Sequence, residues 1–232
     1  MPRHPVHIRR WLGLLGWWVV CLGPAAARPD VAQVQAVRAA EMASCLPGEE
    51  TTWPDGRDRP ASGPVQLAYT HTGAPAWFSA SQVRQALARA TQAWSACGVP
   101  GTLLPPEAPG PAGAVQVAWS DTHTRGHFAL ADLGQRRLWL SAAMFQLLAD
   151  RNPRHPAGDT LQMTISHEMG HFFGLVAHSR RCVDVMSYYR FGPDDQSCST
   201  RGGVDWRALP EYRATLPTAC DIERCQRVNG TR

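Results

Sequence analysis

The segment His167-Glu168-Met169-Gly170-His171 combines residue types and spacing suited to metal chemistry. On a helix, side chains four apart share one face and lie within mutual reach. Two imidazoles so placed can hold one Zn²⁺ at about 2.0–2.1 Å. Glu168 stands one step round from the first histidine, where it reaches a water beside the metal rather than the metal itself. That makes it a candidate general base. A zinc ion there lowers the pKa of its water to about 7 and polarises a carbonyl group. Nine His and seven Glu among 232 residues produce this pattern by accident about once in a hundred such chains, so its surroundings must support it. They do. Gly174 follows three residues after His171, where a glycine can take a positive φ and turn the chain back. His178 comes next as a candidate third ligand, and Val185-Met186-Ser187-Tyr188 lies shortly beyond.

With those residues in place the chain resembles the metzincin zinc endopeptidases, whose pattern is His-Glu-x-x-His-x-x-Gly-x-x-His followed by a Met-turn. The resemblance implies zinc ligation by His167, His171 and His178, with Glu168 as base and Met186 as an apolar floor under the metal. Tyr188, two after the methionine, is similar to the tyrosine of astacin- and serralysin-like turns and would stabilise an oxyanion. Ser179 is more like matrixins, as are Phe78-Ser79, Val83-Arg84, Ala90 and Trp94 upstream. Gly126 to Ala131 resembles the edge strand that pairs with an extended substrate in that family, a mode giving sequence-tolerant affinity. The resemblance covers roughly residues 63 to 189.

The chain departs from the pattern at one point. It has three residues, Leu175-Val176-Ala177, where the family has two before the third histidine. Either the return loop bulges and His178 still coordinates, or the site lacks its third protein ligand. A catalytic zinc site's need for three protein ligands and an open position favours the first. Asp184 is the nearest substitute. The last forty residues also depart from a typical matrixin ending.

The elements that must position these groups follow from periodicity. Val31 to Met42 is a short helical stretch. Val65 to Tyr69 alternates as a strand. Ser79 to Trp94 buries Val83, Ala86, Leu87, Ala90 and Trp94 at helical spacing behind a Ser cap. Gly98 to Gly113 reads as a Pro/Gly loop. Ala114–Trp119, Phe128–Ala131 and Arg137–Ser141 read as strands, and Asn152–Gly158 as a turn-rich connection. Asp159, with Gln162 three residues on, opens the motif helix in a capping-box arrangement, and Gly174 should stop it. A short helix is expected from Asp221 to Val228. The fold class is α+β: a metzincin-like zincin fold with a mixed twisted sheet, an active-site helix and a helix packed on the sheet.

The chain length fits one domain with extensions, and an apolar share of 44% is enough for a core. The net charge of +4 is concentrated in Arg3, Arg9 and Arg10. Beyond Ala27 almost none remains, so no basic face for nucleic acid is implied. Residues 1–27 have the basic start, short apolar run and small-residue end of a secretory signal. The apolar run is well short of the roughly 20 residues a membrane span needs. Residues 28–62 form an N-terminal arm or short propeptide, and residues 63–232 the catalytic domain with a disulfide-stapled C-terminal part. Without Cys21 six cysteines remain, an even number that reads as disulfides in an exported chain. Cys182 with Cys198 is an attractive pair. Cys45-Leu46-Pro47 is similar to the latency cysteine of matrixin propeptides, but its flanks differ and that use would leave five cysteines.

Asp121, His123 and His127 suggest a second metal, since matrixins carry structural zinc and calcium nearby. The spacing does not match, and a surface loop with solvated histidines is the expectation. His71 and His155 have no partners at metal-binding spacing and read as surface residues. The expected protein is therefore a secreted or periplasmic monomer with one catalytic Zn²⁺. It would hydrolyse peptide bonds of an extended peptide or protein substrate by a zinc-bound water, with no stable membrane span after signal removal. Two other readings stay open: a catalytically impaired binding or adhesion protein, and a metal-dependent hydrolase of non-peptide amides or esters.

Overall fold

The computed structural model describes residues 30–106, 108, 110–188 and 197–231. The expected signal, residues 1–27, lies outside them. Period-2 burial drives the sheet. Val65 and Leu67 are buried in β1 (Val65–Tyr69), Val115, Val117 and Trp119 in β3 (Val115–Trp119), and Leu138 and Leu140 in β5 (Arg137–Leu140). Together with β2 (Gly101–Leu103) and β4 (Ala129–Asp132) they form one five-stranded sheet in the order β2-β1-β3-β5-β4. The first four strands in that order run parallel, and β4 pairs antiparallel with β5 at the open edge. The protein is thus α+β with a mixed sheet.

An N-terminal helix, α1 (Val31–Ala43), precedes the sheet. The next, α2 (Ala80–Ser95), begins as its sequence requires: the Ser79 hydroxyl accepts from Gln82 N–H while the Gln82 side chain accepts from Ser79 N–H. Its apolar stripe faces the sheet and the motif helix. Trp94 stacks on Phe173 and donates its indole N–H to Ser166 O at 2.8 Å. Asp121–Thr124 forms a single turn, α3. α4 (Ala142–Arg151) follows β5 directly and is capped twice, by the Ser141 hydroxyl and by Asp121, which accepts from Ala143 N–H.

The motif helix α5 (Ala157–Phe172) starts earlier than expected. Pro156 is the N-cap, Asp159 lies inside the first turn, and no side chain caps it, so the proposed capping box is absent. Proline at the cap position fixes φ at the helix entry, and its carbonyl accepts from Asp159 N–H and Thr160 N–H. Besides the α3 turn, two further elements were not foreseen. β2 lies in the supposed Pro/Gly loop, too short for periodicity to register, and α4 adjoins β5 without a break in apolar content. The chain closes with α6 (Ala219–Asn229), which has its own capping box at Thr218 and Asp221.

Apolar side chains collect in two clusters. The larger fills the space between the sheet, α2 and α5. The smaller joins Val34 of α1 to Cys182, Val183, Cys198, Trp206 and Tyr212. Cys182–Cys198, as expected, fastens this second region, Cys45–Cys220 ties the segment after α1 to α6, and Cys97–Cys225 joins the end of α2 to α6 within the larger cluster. Cys45 is therefore bonded to α6 and is not a free thiol. Beside it, Arg201 forms a two-point ion pair with Glu49, and buried Glu41 accepts from the Tyr212 hydroxyl and Arg201 N–H. The Arg201 guanidinium holds Glu49 down at about 2, against the cost of partial burial. Among the described residues no helix is long and apolar enough to cross a membrane.

Candidate metal centre

Helix geometry sets His167 and His171 on one face of α5, their ring centroids 5.3 Å apart and nearly perpendicular. Gly170, between them, lies where any side chain would collide. A Cβ there would overlap the sulfur of Met186 and press on the Trp94 ring. Fully buried Met186 thus packs directly beneath the histidine turn of the helix. At the helix end Gly174 takes φ +109°, and Leu175 N–H bonds back to Gly170 O, reversing the chain. The return loop, one residue longer than the family pattern, still brings His178 to the pair. Its Nε2 is 3.1 Å from that of His167, and the three imidazoles each supply a ring nitrogen within 4.8 Å of the other two.

The second ring nitrogens explain the convergence. His167 Nδ1 faces Val185 O, His171 Nδ1 faces Leu175 O and His178 Nδ1 faces Asp55 Oδ2, each at 2.7 Å. A carbonyl or carboxylate only accepts, so each Nδ1 carries the proton and each Nε2 presents a lone pair. Burial keeps the rings neutral: His167 is held well below its ordinary value, His171 is pushed down to about 4, and His178 is lowered despite Asp55. Two neutral lone pairs 3.1 Å apart repel. A shared cation relieves that repulsion, and two nitrogens bound to one tetrahedral zinc stand about 3.3–3.4 Å apart. The donor set fits zinc: three neutral imidazole nitrogens, their tautomers set by outer hydrogen bonds.

Glu168 is half-buried beside them and lines the same cleft, of about 330 Å³. Burial pushes its carboxyl up to about 7, the Ala131 N–H opposing this by donating to Oε2 at 2.8 Å. Tyr188 lies at the rim, 36% exposed, its ring stacked on His178 with centroids 3.7 Å apart. Its hydroxyl donates to Asp55, and burial followed by that carboxylate pushes the phenol up to about 12. β4 borders the cleft. Phe128 O accepts from Ser141 N–H, so the alternate residues Ala129 and Ala131 turn their N–H and C=O groups away from β5, toward the opening.

The five expected site residues, His167, Glu168, His171, His178 and Tyr188, are thus brought together. Asp184, the substitute ligand, is buried elsewhere, accepting from the Ser179 and Thr218 hydroxyls. Asp121, His123 and His127 do not converge. Asp121 caps α4, His123 stacks on Trp139, and His127 lines the cleft. The segment is a helical turn where a loop was expected. His71 and His155 are half-buried, each hydrogen-bonded to one hydroxyl, Tyr69 Oη and Thr160 Oγ1, both at 2.7 Å, and neither joins a ligand cluster among the described residues. Sequence reasoning missed Asp55 and Asp58, since nothing local distinguishes them from solvated aspartates in a polar segment.

The sequence matches no protein-family model and no curated protein. Among solved structures, a chain of the "GM1 bound form of the ECX AB5 holotoxin" superposes over 81% of this chain and 92% of its own. Its TM-score is 0.41 at 12% sequence identity. A likeness that loose constrains neither activity nor site.

Proposed function

We propose that the chain is an exported zinc-dependent endopeptidase of metzincin type. The observation that carries this reading is the convergence of three lone-pair-bearing imidazole nitrogens, with a half-buried carboxyl beside them, under an open strand edge. His167, His171 and His178 would hold the ion. When bound, zinc supplies a Lewis acid that acidifies water and polarises a carbonyl. Glu168, oriented through Oε2 by Ala131 N–H, takes a proton from the attacking water and returns it to the leaving amine. Tyr188, turning from Asp55, donates to the developing oxyanion. An extended peptide lies against β4 and bonds to the outward backbone groups of Ala129 and the Ala131 carbonyl.

The mixed sheet with its antiparallel edge, the motif helix and Met186 under the histidines all agree with the metzincin reading. Three disulfides suit an oxidising compartment, which supports action outside the cytoplasm, secreted or periplasmic. The extra loop residue, which motivated a binding-only role, does not keep His178 from its companions.

The test is Glu168→Gln, assayed on casein alongside the wild type. The variant should keep one zinc per chain while hydrolysis falls by about 10²–10⁴-fold. Undiminished casein cleavage by the variant sinks the mechanism. A wild-type chain cleaving only non-peptide amides or esters moves the substrate class, and one well short of one zinc favours a binding protein.

A further inference from the structure

The loop that delivers His178 makes few bonds of its own. Val176 N–H and Ala177 N–H both donate to Asp58 Oδ1, at 2.9 and 3.0 Å. Gly174 O accepts from Arg59 N–H and His178 O from Trp53 N–H, while Arg180 N–H donates to Thr51 O. Asp58 is itself gripped by Arg224 of α6 through two 2.7 Å bonds. Buried backbone groups must find partners, and here Gly174 O, Val176 N–H, Ala177 N–H and both backbone groups of His178 find theirs on a segment more than a hundred residues earlier. No residue of that segment lines the cleft holding His167 and Glu168, so it braces the site without plugging it.

Asp55 is the focus of this brace. Its Oδ1 accepts from His178 N–H at 3.1 Å and its Oδ2 from His178 Nδ1 at 2.7 Å, and it also accepts from the Tyr188 hydroxyl. His167 and His171 have backbone carbonyls as their outer partners, one of them within the helix-ending turn itself. Among the described residues, His178 alone of the three rings has a carboxylate as outer partner. We propose that Asp55 is a positioning residue, setting the tautomer and direction of the third metal ligand and the place of Tyr188. By the same argument residues 45–62 are a permanent part of the functional unit and are not removed for activation. The consequence for metal affinity rests on the zinc reading above; the tautomer and orientation of His178 do not.

Orientation by an outer carboxylate also raises the basicity of the ligating nitrogen, and losing such a partner typically costs about 10–100-fold in metal affinity. The experiment uses the full chain with disulfides formed, as wild type, Asp55→Ala and Asp55→Asn. Zinc affinity is read by chelator competition, and histidine tautomers by ¹⁵N–¹H spectra of the metal-free proteins. Asp55→Ala should bind zinc about 10–100-fold more weakly, and its His178 should change from one Nδ1–H tautomer to a mixture. Asp55→Asn, which keeps an acceptor oxygen but no charge, should fall between, and it carries the test if the alanine variant fails to fold. Unchanged zinc affinity with an unchanged His178 tautomer overturns the proposal. If the wild type takes up no zinc while the tautomer still shifts in the variants, the zinc reading fails and the positioning role stands. Intact mass of the active protein should show residues 45–62 still linked through Cys45. An active form beginning after residue 62 overturns the claim about the arm.

Discussion

His167 and His171 stand on successive turns of α5 and meet because a helix repeats every 3.6 residues. His178 reaches the same point from a loop held by Asp55, 123 residues away in sequence. The contrast extends to the regions around them. The sheet, α2 and α5 are built from periodic segments, α2 with its own capping box, and an apolar core packs them together. The arm, the return loop and residues 197–218 hold together through buried ion pairs, backbone bonds to carboxylates and disulfides. A site assembled across such a boundary takes two ligands from the half that folds by local rules. The third comes from the half whose order depends on long-range closure.

The sharpest way to test this comparison is to remove one ligand from each side. Structural zinc binding of about 10–16 kcal/mol, shared over four ligands, makes each worth roughly 10²–10³-fold in affinity. His171→Ala and His178→Ala should both show that loss in chelator competition. If His178→Ala binds as tightly as wild type, the loop histidine is no ligand and the metal centre is reduced to the helix pair.

A smaller effect is expected from unfastening the arm. Cys45 and Cys220 are separated by 175 residues, so replacing both by serine should lower stability by about 2–4 kcal/mol in denaturant titration. Zinc affinity should fall as well, because Asp55 and Asp58 lie on the released segment. Loss of stability with zinc affinity intact would show that the arm staples the fold without shaping the site. The smallest effect belongs to the periodic half. Ser79→Ala removes the α2 cap and should cost about 1 kcal/mol, leaving zinc binding alone. A change in zinc affinity there would mean that the two regions are more tightly coupled than their packing implies.

How far the sequence could be read follows the same division. The α2 stripe and Ser79 cap, β1, β3 and β5 were legible because each is a local pattern that tertiary packing reinforced. The capping box at Asp159 was not realised because Pro156 begins the helix first. Asp121 was expected in a solvated surface loop, and its role as a cap of α4 was not legible because that helix was itself unseen. Cys182–Cys198 was within reach as a short loop, but the partners of Cys45 and Cys97 were two of many arrangements.

By itself the sequence determined the helix that presents His167, Glu168 and His171, the break at Gly174, and the alternation that makes β4 a strand beside them. Backbone dihedrals and side-chain periodicity are local properties, written within a few residues of where they act. Only the tertiary structure decided that an overlong loop still aims His178 inward, that Met186 fills the space Gly170 leaves, and that Asp55 holds both His178 and Tyr188. Those outcomes depend on distances between segments separated by up to a hundred or more residues. Such distances are set by chain closure and packing, and no local pattern carries them.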